Sequence, residues 1–122
     1  MAVKTTPLDG TFPDIIVEEA DAVSAPSKDL FDGPVSLYNI NINNSANAGS
    51  VAIVRLYDAL DAAPASDVPL LKFNVAASSR ANITIADGLT FLVGVTLRCT
   101  TATADNDTAD PSSNVIVYMT GS

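Results

Sequence analysis

Apolar side chains recur at every second position through most of this chain. The clearest example lies between residues 90 and 99, where alternate positions read Phe91, Val93, Val95, Leu97 and Cys99. A period of two places these side chains on one face of an extended strand and their polar neighbours on the other. The pattern therefore predicts a β-strand over 90–99.

The same periodicity predicts strands over 35–42, 71–75, 81–85 and 114–120, and short apolar runs predict strands over 15–18 and 50–58. Residues 50–58 are apolar on both faces, which indicates a central strand covered on both sides, within which Arg55 needs a partner. Between the strands, the composition predicts loops over 20–33 and 100–113 and turns over 43–49 and at Asp87-Gly88. One helical turn is predicted after Ser27.

Short strands separated by turn residues predict an all-β fold. We expect a single β-sandwich of seven or eight antiparallel strands over residues 13–122, either jelly-roll-like or immunoglobulin-like. Turn spacing does not reveal strand order, so both topologies stay open. In residues 1–12, apolar residues are too sparse to form a strand face, and we predict an irregular N-terminal arm that docks on a neighbour.

Length and composition favour one domain that associates with copies of itself. The chain has 122 residues, of which 16% are charged, against about 25% in an average soluble domain. Part of the surface is therefore expected to be covered by other subunits in a homo-oligomer. The alternative is a monomer coated with Ser, Thr and Asn.

The charge distribution bears on the partners of the chain. The net charge is −8, and the six Lys and Arg residues are scattered singly, so we expect no nucleic-acid partner. No apolar stretch approaches the roughly 18 residues of a membrane span. The first residues lack a signal-peptide pattern, which predicts synthesis in the cytoplasm. Cys99 is alone, and its strand position predicts a small buried hydrophobe.

Catalysis is not expected. The chain has no His, the usual base for a Ser or Cys nucleophile. Glu18 and Glu19 are adjacent, so in a strand they face opposite sides and do not form a catalytic carboxylate pair. No Gly-rich phosphate loop precedes a helix. We therefore predict neither an enzyme nor a cofactor.

The densest polar cluster lies between residues 105 and 110. Asp105, Asp107 and Asp110 are close enough in sequence to offer carboxylates to Ca²⁺. However, the cluster lacks the Gly and the closing Glu of a calcium-binding helix–loop–helix. A solvated loop whose Asp and Asn residues form local turns is the favoured interpretation.

Apolar residues outside the predicted strands are candidates for contacts with other subunits. Leu8 and Phe12 lie in the arm, and Leu30 and Phe31 lie in the loop over 20–33. Large apolar residues of this kind serve equally as interface anchors or as caps on the ends of a core. Both roles stay open for these four residues.

Three segments together carry a family resemblance. They are Val54-Arg55-Leu56-Tyr57-Asp58, then Asp87-Gly88-Leu89-Thr90-Phe91-Leu92-Val93-Gly94, and finally the run from Thr103 to Pro111. This series, within residues 34–120, resembles small β-rich proteins encoded among the head and tail genes of tailed bacteriophages. The resemblance implies a virion structural protein, including the capsid decoration (cement) proteins that sit as trimers or other oligomers on the outer shell. It favours a trimer as the homo-oligomer expected for this chain.

The expected function is therefore capsid decoration: binding the major capsid protein on the capsid exterior after synthesis in the bacterial host. One alternative is a tail, neck or fibre-knob component that contacts the host. Another is a carbohydrate-binding β-sandwich module. Such modules present Trp or Tyr to sugar rings, and this chain has no Trp and three tyrosines. Strand parity assigns one of these, Tyr38, to the core face with Ile40 and Ile42.

Overall fold

The computed structural model describes residues 2–7, 15–63 and 66–122, with Pro7 described by its backbone alone. Over these residues the chain forms eight strands and no helix. The strands are β1 (Val3–Pro7), β2 (Ile15–Glu19), β3 (Val35–Asn43), β4 (Ala52–Asp58), β5 (Leu71–Val75), β6 (Arg80–Phe91), β7 (Val95–Thr100) and β8 (Ile116–Gly121).

The strands form two antiparallel sheets. The large sheet has the order β1-β2-β8-β3-β6, and the small sheet has the order β5-β4-β7. The two sheets enclose one apolar core, to which alternate residues of the strands contribute. The predicted all-β sandwich is confirmed, and so is the central position of β4, whose residues 52–57 are all buried.

The pairing order follows a nested pattern. β2 pairs with β8, β3 with β6, and β4 with β5. The segment before β3 pairs with β7, through two hydrogen bonds between Ser27 and Leu97 and one from Cys99 N–H to Val23 O. First-with-last pairing of this kind is the connectivity of a jelly roll, in which a long double strand wraps around the core.

One lateral side of the sandwich is sealed by the chain itself. Residues 23–30 run along the outer edge of β7, where Leu30 N–H also donates to Val95 O. Glu19, at the end of β2, is fully buried and accepts a hydrogen bond from the Ser27 hydroxyl. This contact links the large sheet to the segment that covers the small sheet. A single turn, closed by the Asp32 N–H bond to Asp29 O at 3.1 Å, follows Ser27 here, and the predicted helical turn is absent.

The N-terminal segment differs from the prediction. Residues 3–7, expected to be part of an irregular arm, form β1 and pair with all five residues of β2. Ala20 N–H donates to Ala2 O, and the Glu19 carboxylate accepts the Ala2 N–H at 2.7 Å. The pairing is supplied by the backbone and by a distant carboxylate, so it needs no apolar alternation within β1 itself.

The strand predicted over 90–99 is in fact two strands. β6 runs through the predicted Asp87-Gly88 turn to Phe91, and the chain reverses at residues 92–94 before β7. Val95, Leu97 and Cys99 are buried as predicted, whereas Val93 is 46% exposed in the reversal. Alternation alone does not distinguish a continuous strand from two strands joined by a tight turn.

A bulge explains why Asp87-Gly88 is not a chain reversal. Between the pairs Leu37↔Leu89 and Asn39↔Thr84, four residues of β6 lie opposite Tyr38 alone. Gly88 adopts φ +77°, and a Cβ there would meet the Tyr38 ring at 2.8 Å. The bulge also shifts the parity of β3, so Leu37 faces the core and Tyr38 is half-buried. The assignment of Tyr38 to the core face is wrong for this reason.

Candidate interaction surface

Three cations form a row across the outer face of the small sheet. In the strand register Arg55 lies directly opposite both Lys72 and Arg98. Arg55 and Arg98 are completely buried, whereas the side chain of Lys72 is 39% exposed. Like charges directly opposite one another destabilise a sheet unless other groups neutralise them.

The loop after β7 supplies the neutralising groups. Arg55 donates to Thr100 Oγ1 at 2.6 Å, Ala102 O at 2.8 Å, Ala104 O at 2.7 Å and Ile53 O at 3.4 Å. Arg98 donates to Ser24 O, Asp105 O, Asp107 O and the Tyr57 hydroxyl. The sequence pattern indicated that Arg55 needs a partner, and in the fold backbone carbonyl groups supply most of its hydrogen-bond acceptors. Its Nε–H donates no hydrogen bond to any described residue, and Asp105 Oδ1 lies 3.9 Å from this nitrogen.

The three carboxylates considered for Ca²⁺ have separate roles. Asp105 accepts a hydrogen bond from Lys72 at 2.8 Å, Asp107 accepts the Ala102 N–H, and Asp110 accepts the Ser24 N–H at 2.8 Å. Within the described ranges no group of three or more His, Cys, Asp or Glu side chains is placed to hold a metal ion. The carboxylates fix the loop against the sheet and the neighbouring segment.

These interactions lower the pKa of several carboxyl groups. The Lys72 hydrogen bond lowers the pKa of Asp105, and hydrogen bonds from Ser24 lower that of Asp110. For Asp107, desolvation raises the pKa, but hydrogen bonds from the Thr100 side chain and from two backbone N–H groups outweigh it. All three carboxyl groups therefore favour the charged form in the folded state.

We expect the free energy of unfolding to fall in acid. A carboxyl group whose folded pKa lies below its ordinary value of 3.8 contributes stability above that pH. The contribution disappears as the pH falls through the lower folded value. Urea unfolding at a series of pH values checks this. Asp105→Asn should flatten the acid limb, whereas Asn106→Ala, an exposed change in the same loop that removes no carboxyl group, should leave it unchanged. Equal slopes in both variants would contradict the assignment.

The four residues considered as interface anchors divide into two groups. Leu8 and Phe12 lie outside the described residues. Leu30 and Phe31 are 5% and 7% exposed and belong to the hydrophobic core. Their positions match the second interpretation, in which they cap the core, and a role at an interface stays a prediction.

Exposed apolar side chains collect at one end of the sandwich. Of the seven large hydrophobic side chains exposed in the described residues, five lie where β4 ends, β5 begins and β6 reverses into β7. These five, which we call the apolar end, are Leu60, Val68, Leu70, Leu92 and Val93. Val68 and Leu92 are the most exposed, at 78% and 74%. Because five of the seven lie at one end, this end is the candidate docking surface among the described residues.

Asp58 fixes the β6–β7 reversal at this end. Its carboxylate accepts the N–H groups of Leu92 at 3.0 Å, Val93 at 2.8 Å and Gly94 at 3.3 Å. Desolvation raises the pKa of Asp58, but the three backbone hydrogen bonds outweigh it and lower the pKa overall. The carboxylate satisfies the backbone of the reversal, so the Leu92 and Val93 side chains are held facing solvent.

The other residues of the apolar end are also held by the fold. Ala59 N–H donates to Gly94 O, and a Cβ on Gly94 would lie 3.3 Å from Leu60. On the far side of β4, Leu70 N–H donates to Leu56 O at 2.8 Å. Hydrogen bonds to β4 therefore preorganise the part of the apolar end formed by Leu70 and by the β6–β7 reversal.

The tyrosines bear on the carbohydrate-binding alternative. Tyr57 is buried and accepts a hydrogen bond from Arg98, and Tyr38 is half-buried against Gly88. Tyr118, 39% exposed on the outer face of the large sheet, is the one exposed tyrosine among the described residues. The charge of Glu18 beside it raises its pKa.

The sequence did contain a signal for the apolar end. Leu92 and Val93 are adjacent and both apolar, whereas strict alternation of apolar and polar residues would make one of them polar. Val68 and Leu70 lie beside Pro69, in a region assigned to a loop. Their common location depends on the order β5-β4-β7 and on β6 ending beside them, which local patterns do not determine.

Comparisons with protein-family models, curated proteins and solved structures give no match for this chain. The described part of the surface contains no pocket. The described residues also form no helix of the length and apolarity needed to cross a bilayer.

Proposed function

We propose that this chain is a virion structural protein of a tailed bacteriophage that decorates the capsid by binding the major capsid protein. The observation that carries the proposal furthest is the apolar end. Five exposed apolar side chains, of which Leu92 and Val93 lie on a reversal held by Asp58, form a surface suited to a protein partner. Fully burying one such side chain contributes about 1.5–3 kcal/mol, so a few of them can dominate the affinity of an interface.

Several further properties support a structural role. The chain carries a net charge of −8, which suits a position on the outside of a shell rather than against packaged DNA. The resemblance of residues 34–120 to small phage head and tail proteins agrees with an all-β sandwich. The loop after β7, fixed by two buried arginines, gives the small sheet a rigid outer layer.

The proposed mechanism is mass action. A protein that binds the assembled shell, and not its dissociated subunits, stabilises the shell by about 2.7 kcal/mol per site at a hundredfold excess over Kd. A decoration protein that bridges several coat subunits adds avidity to this effect. The capsid should therefore rupture at a higher temperature when the protein is bound.

The test measures co-sedimentation with empty shells assembled from the major capsid protein that is encoded with this chain. We expect the double variant Leu92→Ser/Val93→Ser to bind at least about a hundredfold more weakly than the wild type, because two buried apolar side chains are lost. The matched control is Tyr118→Ser, an exposed apolar-to-polar change on the large sheet, which should bind like the wild type.

Two outcomes would contradict the proposal. Shells that melt at the same temperature with and without the protein would exclude stabilisation. Labelled protein found at a single vertex of intact particles would instead support the tail or neck alternative.

A further inference from the structure

Among the described residues, the sandwich has one sealed sheet edge and three open ones. Residues 23–30 cover the outer edge of β7, whereas β1, β5 and β6 each pair with one strand only. An open edge offers unpaired backbone groups to another chain, and proteins commonly block it with Lys or Pro. β1 contains Lys4 and Pro7, and β5 contains Lys72. The first half of β6 has neither.

The hydrogen-bond pattern shows which groups of β6 face outward. Asn44 N–H donates to Ser79 O at 2.9 Å. Because hydrogen-bonded pairs alternate along an antiparallel ladder, the next such pairs are Ile42↔Ala81 and Ile40↔Ile83. The N–H and C=O groups of Arg80, Asn82 and Thr84 therefore point away from β3 and lie along the open edge.

We propose that a second copy of this chain pairs with β6 in the antiparallel sense about a two-fold axis at Asn82. In this register Asn82 faces Asn82 of the partner subunit, and Arg80 faces Thr84 of the partner subunit. Three outward N–H and three outward C=O groups on each chain then form six hydrogen bonds. The two large sheets join into one continuous ten-stranded sheet, an isologous interface that closes as a dimer.

The side chains suit this register on both faces of the sheet. On the outer face no pair brings like charges together, since Arg80 meets a threonine and Asn82 meets an asparagine. On the inner face Ala81 lies opposite Ile83 of the partner subunit. Ala81 and Ile83 are only partly buried in the single chain. Pairing of the two β6 strands would therefore cover apolar surface that is exposed in the monomer.

The charge of the segments near this edge does not oppose self-association. Residues 71–91 contain Lys72, Arg80 and Asp87, a net charge of +1, whereas the whole chain carries −8. Two copies that pair at this edge therefore bring together segments of low charge, although each whole chain is strongly acidic. The bulge opposite Tyr38 interrupts the regular ladder of β6 after Thr84. It therefore limits the intersubunit pairing to residues 80–84 and disfavours a shifted register between the two β6 strands.

Sedimentation equilibrium of the wild type should give twice the chain mass of 12.6 kDa. Asn82→Pro removes an outward N–H that makes no bond within the chain, so it deletes two of the six intersubunit bonds. We expect the dissociation constant of the dimer to rise about thirtyfold. The matched control is Thr5→Pro, which removes an outward N–H from the opposite edge of the same sheet and should leave the dimer intact.

A second variant tests the same interface if Asn82→Pro fails to fold. Asn82→Asp has the same shape and keeps the oxygen that accepts the Asn39 amide at 2.9 Å. It places two carboxylates face to face at the axis, so the dimer should weaken by about fivefold and recover in high salt. Asn74→Asp, exposed on β5, adds the same charge away from the axis and should have no effect.

A monomeric wild type, or a dimer that Asn82→Pro and Asn82→Asp leave unchanged, would overturn the proposal. So would a dimer disrupted by Thr5→Pro alone, which would place the interface at β1, and so would a trimer. None of these measurements uses phage particles, so the dimer and the proposed capsid function stand or fall separately.

Discussion

Replacing Arg98 by methionine is expected to lower the free energy of unfolding by about 3–4 kcal/mol. The change keeps most of the apolar stem but removes every donor of the buried guanidinium. Four oxygens lose a partner, among them Ser24 O at 2.8 Å and the Tyr57 hydroxyl at 3.0 Å. Urea unfolding at neutral pH gives the loss directly.

Lys72→Met is the matched control for Arg98→Met. Lys72 belongs to the same cation row and also binds the loop after β7, through Thr103 O and Asp105. Its side chain is 39% exposed, so its loss should cost no more than about 1 kcal/mol. Arg98→Met should also accelerate amide exchange in residues 102–107. A loss below that of the control would show that the loop holds its position without Arg98.

Glu19→Ala is expected to lower the free energy of unfolding by about 2–3 kcal/mol. The buried carboxylate accepts the N–H groups of Ala2 at 2.7 Å and Asp21 at 2.9 Å, together with the Ser27 hydroxyl. Alanine leaves these donors without an acceptor at the point where the two sheets are linked. Amide exchange should show β1 opening before the rest of the large sheet.

The neighbouring residue supplies the control for Glu19→Ala. Glu18 faces the opposite side of β2, beside Tyr118, and Glu18→Ala should change stability by less than about 0.5 kcal/mol. It should instead lower the pKa of Tyr118, which the charge of Glu18 raises. Spectrophotometric titration of the phenol measures this. Equal destabilisation by both alanine variants would show that the Glu19 hydrogen bonds do not link the sheets.

The buried arginines illustrate why the sequence left the outer layer undetermined. Alternation placed Arg55 on the second face of a central strand and showed that it needed a partner. The partner is the backbone of residues 102–104, nearly fifty positions away. Carbonyl groups belong to every residue, so composition does not indicate which of them will accept a hydrogen bond from a given arginine.

The acidic cluster after β7 shows the same dependence on distant partners. Its carboxylates suggested either a cation site or a solvated loop. In the fold Asp105 binds Lys72 of β5, and Asp110 binds the backbone of Ser24. Both partners come from strands and segments that only the pairing order brings beside the loop.

The sequence by itself determined the fold class, the burial of both faces of β4, the buried positions Val95, Leu97 and Cys99 of β7, the alternation of β8, and the opposite faces of Glu18 and Glu19. Each of these follows from the apolar pattern and the two-residue period of a strand. Only the tertiary structure decided the nested strand order, the pairing of β1, the bulge opposite Tyr38 and the common location of the apolar end. These features depend on hydrogen bonds and packing between residues far apart in the chain, which no local pattern records.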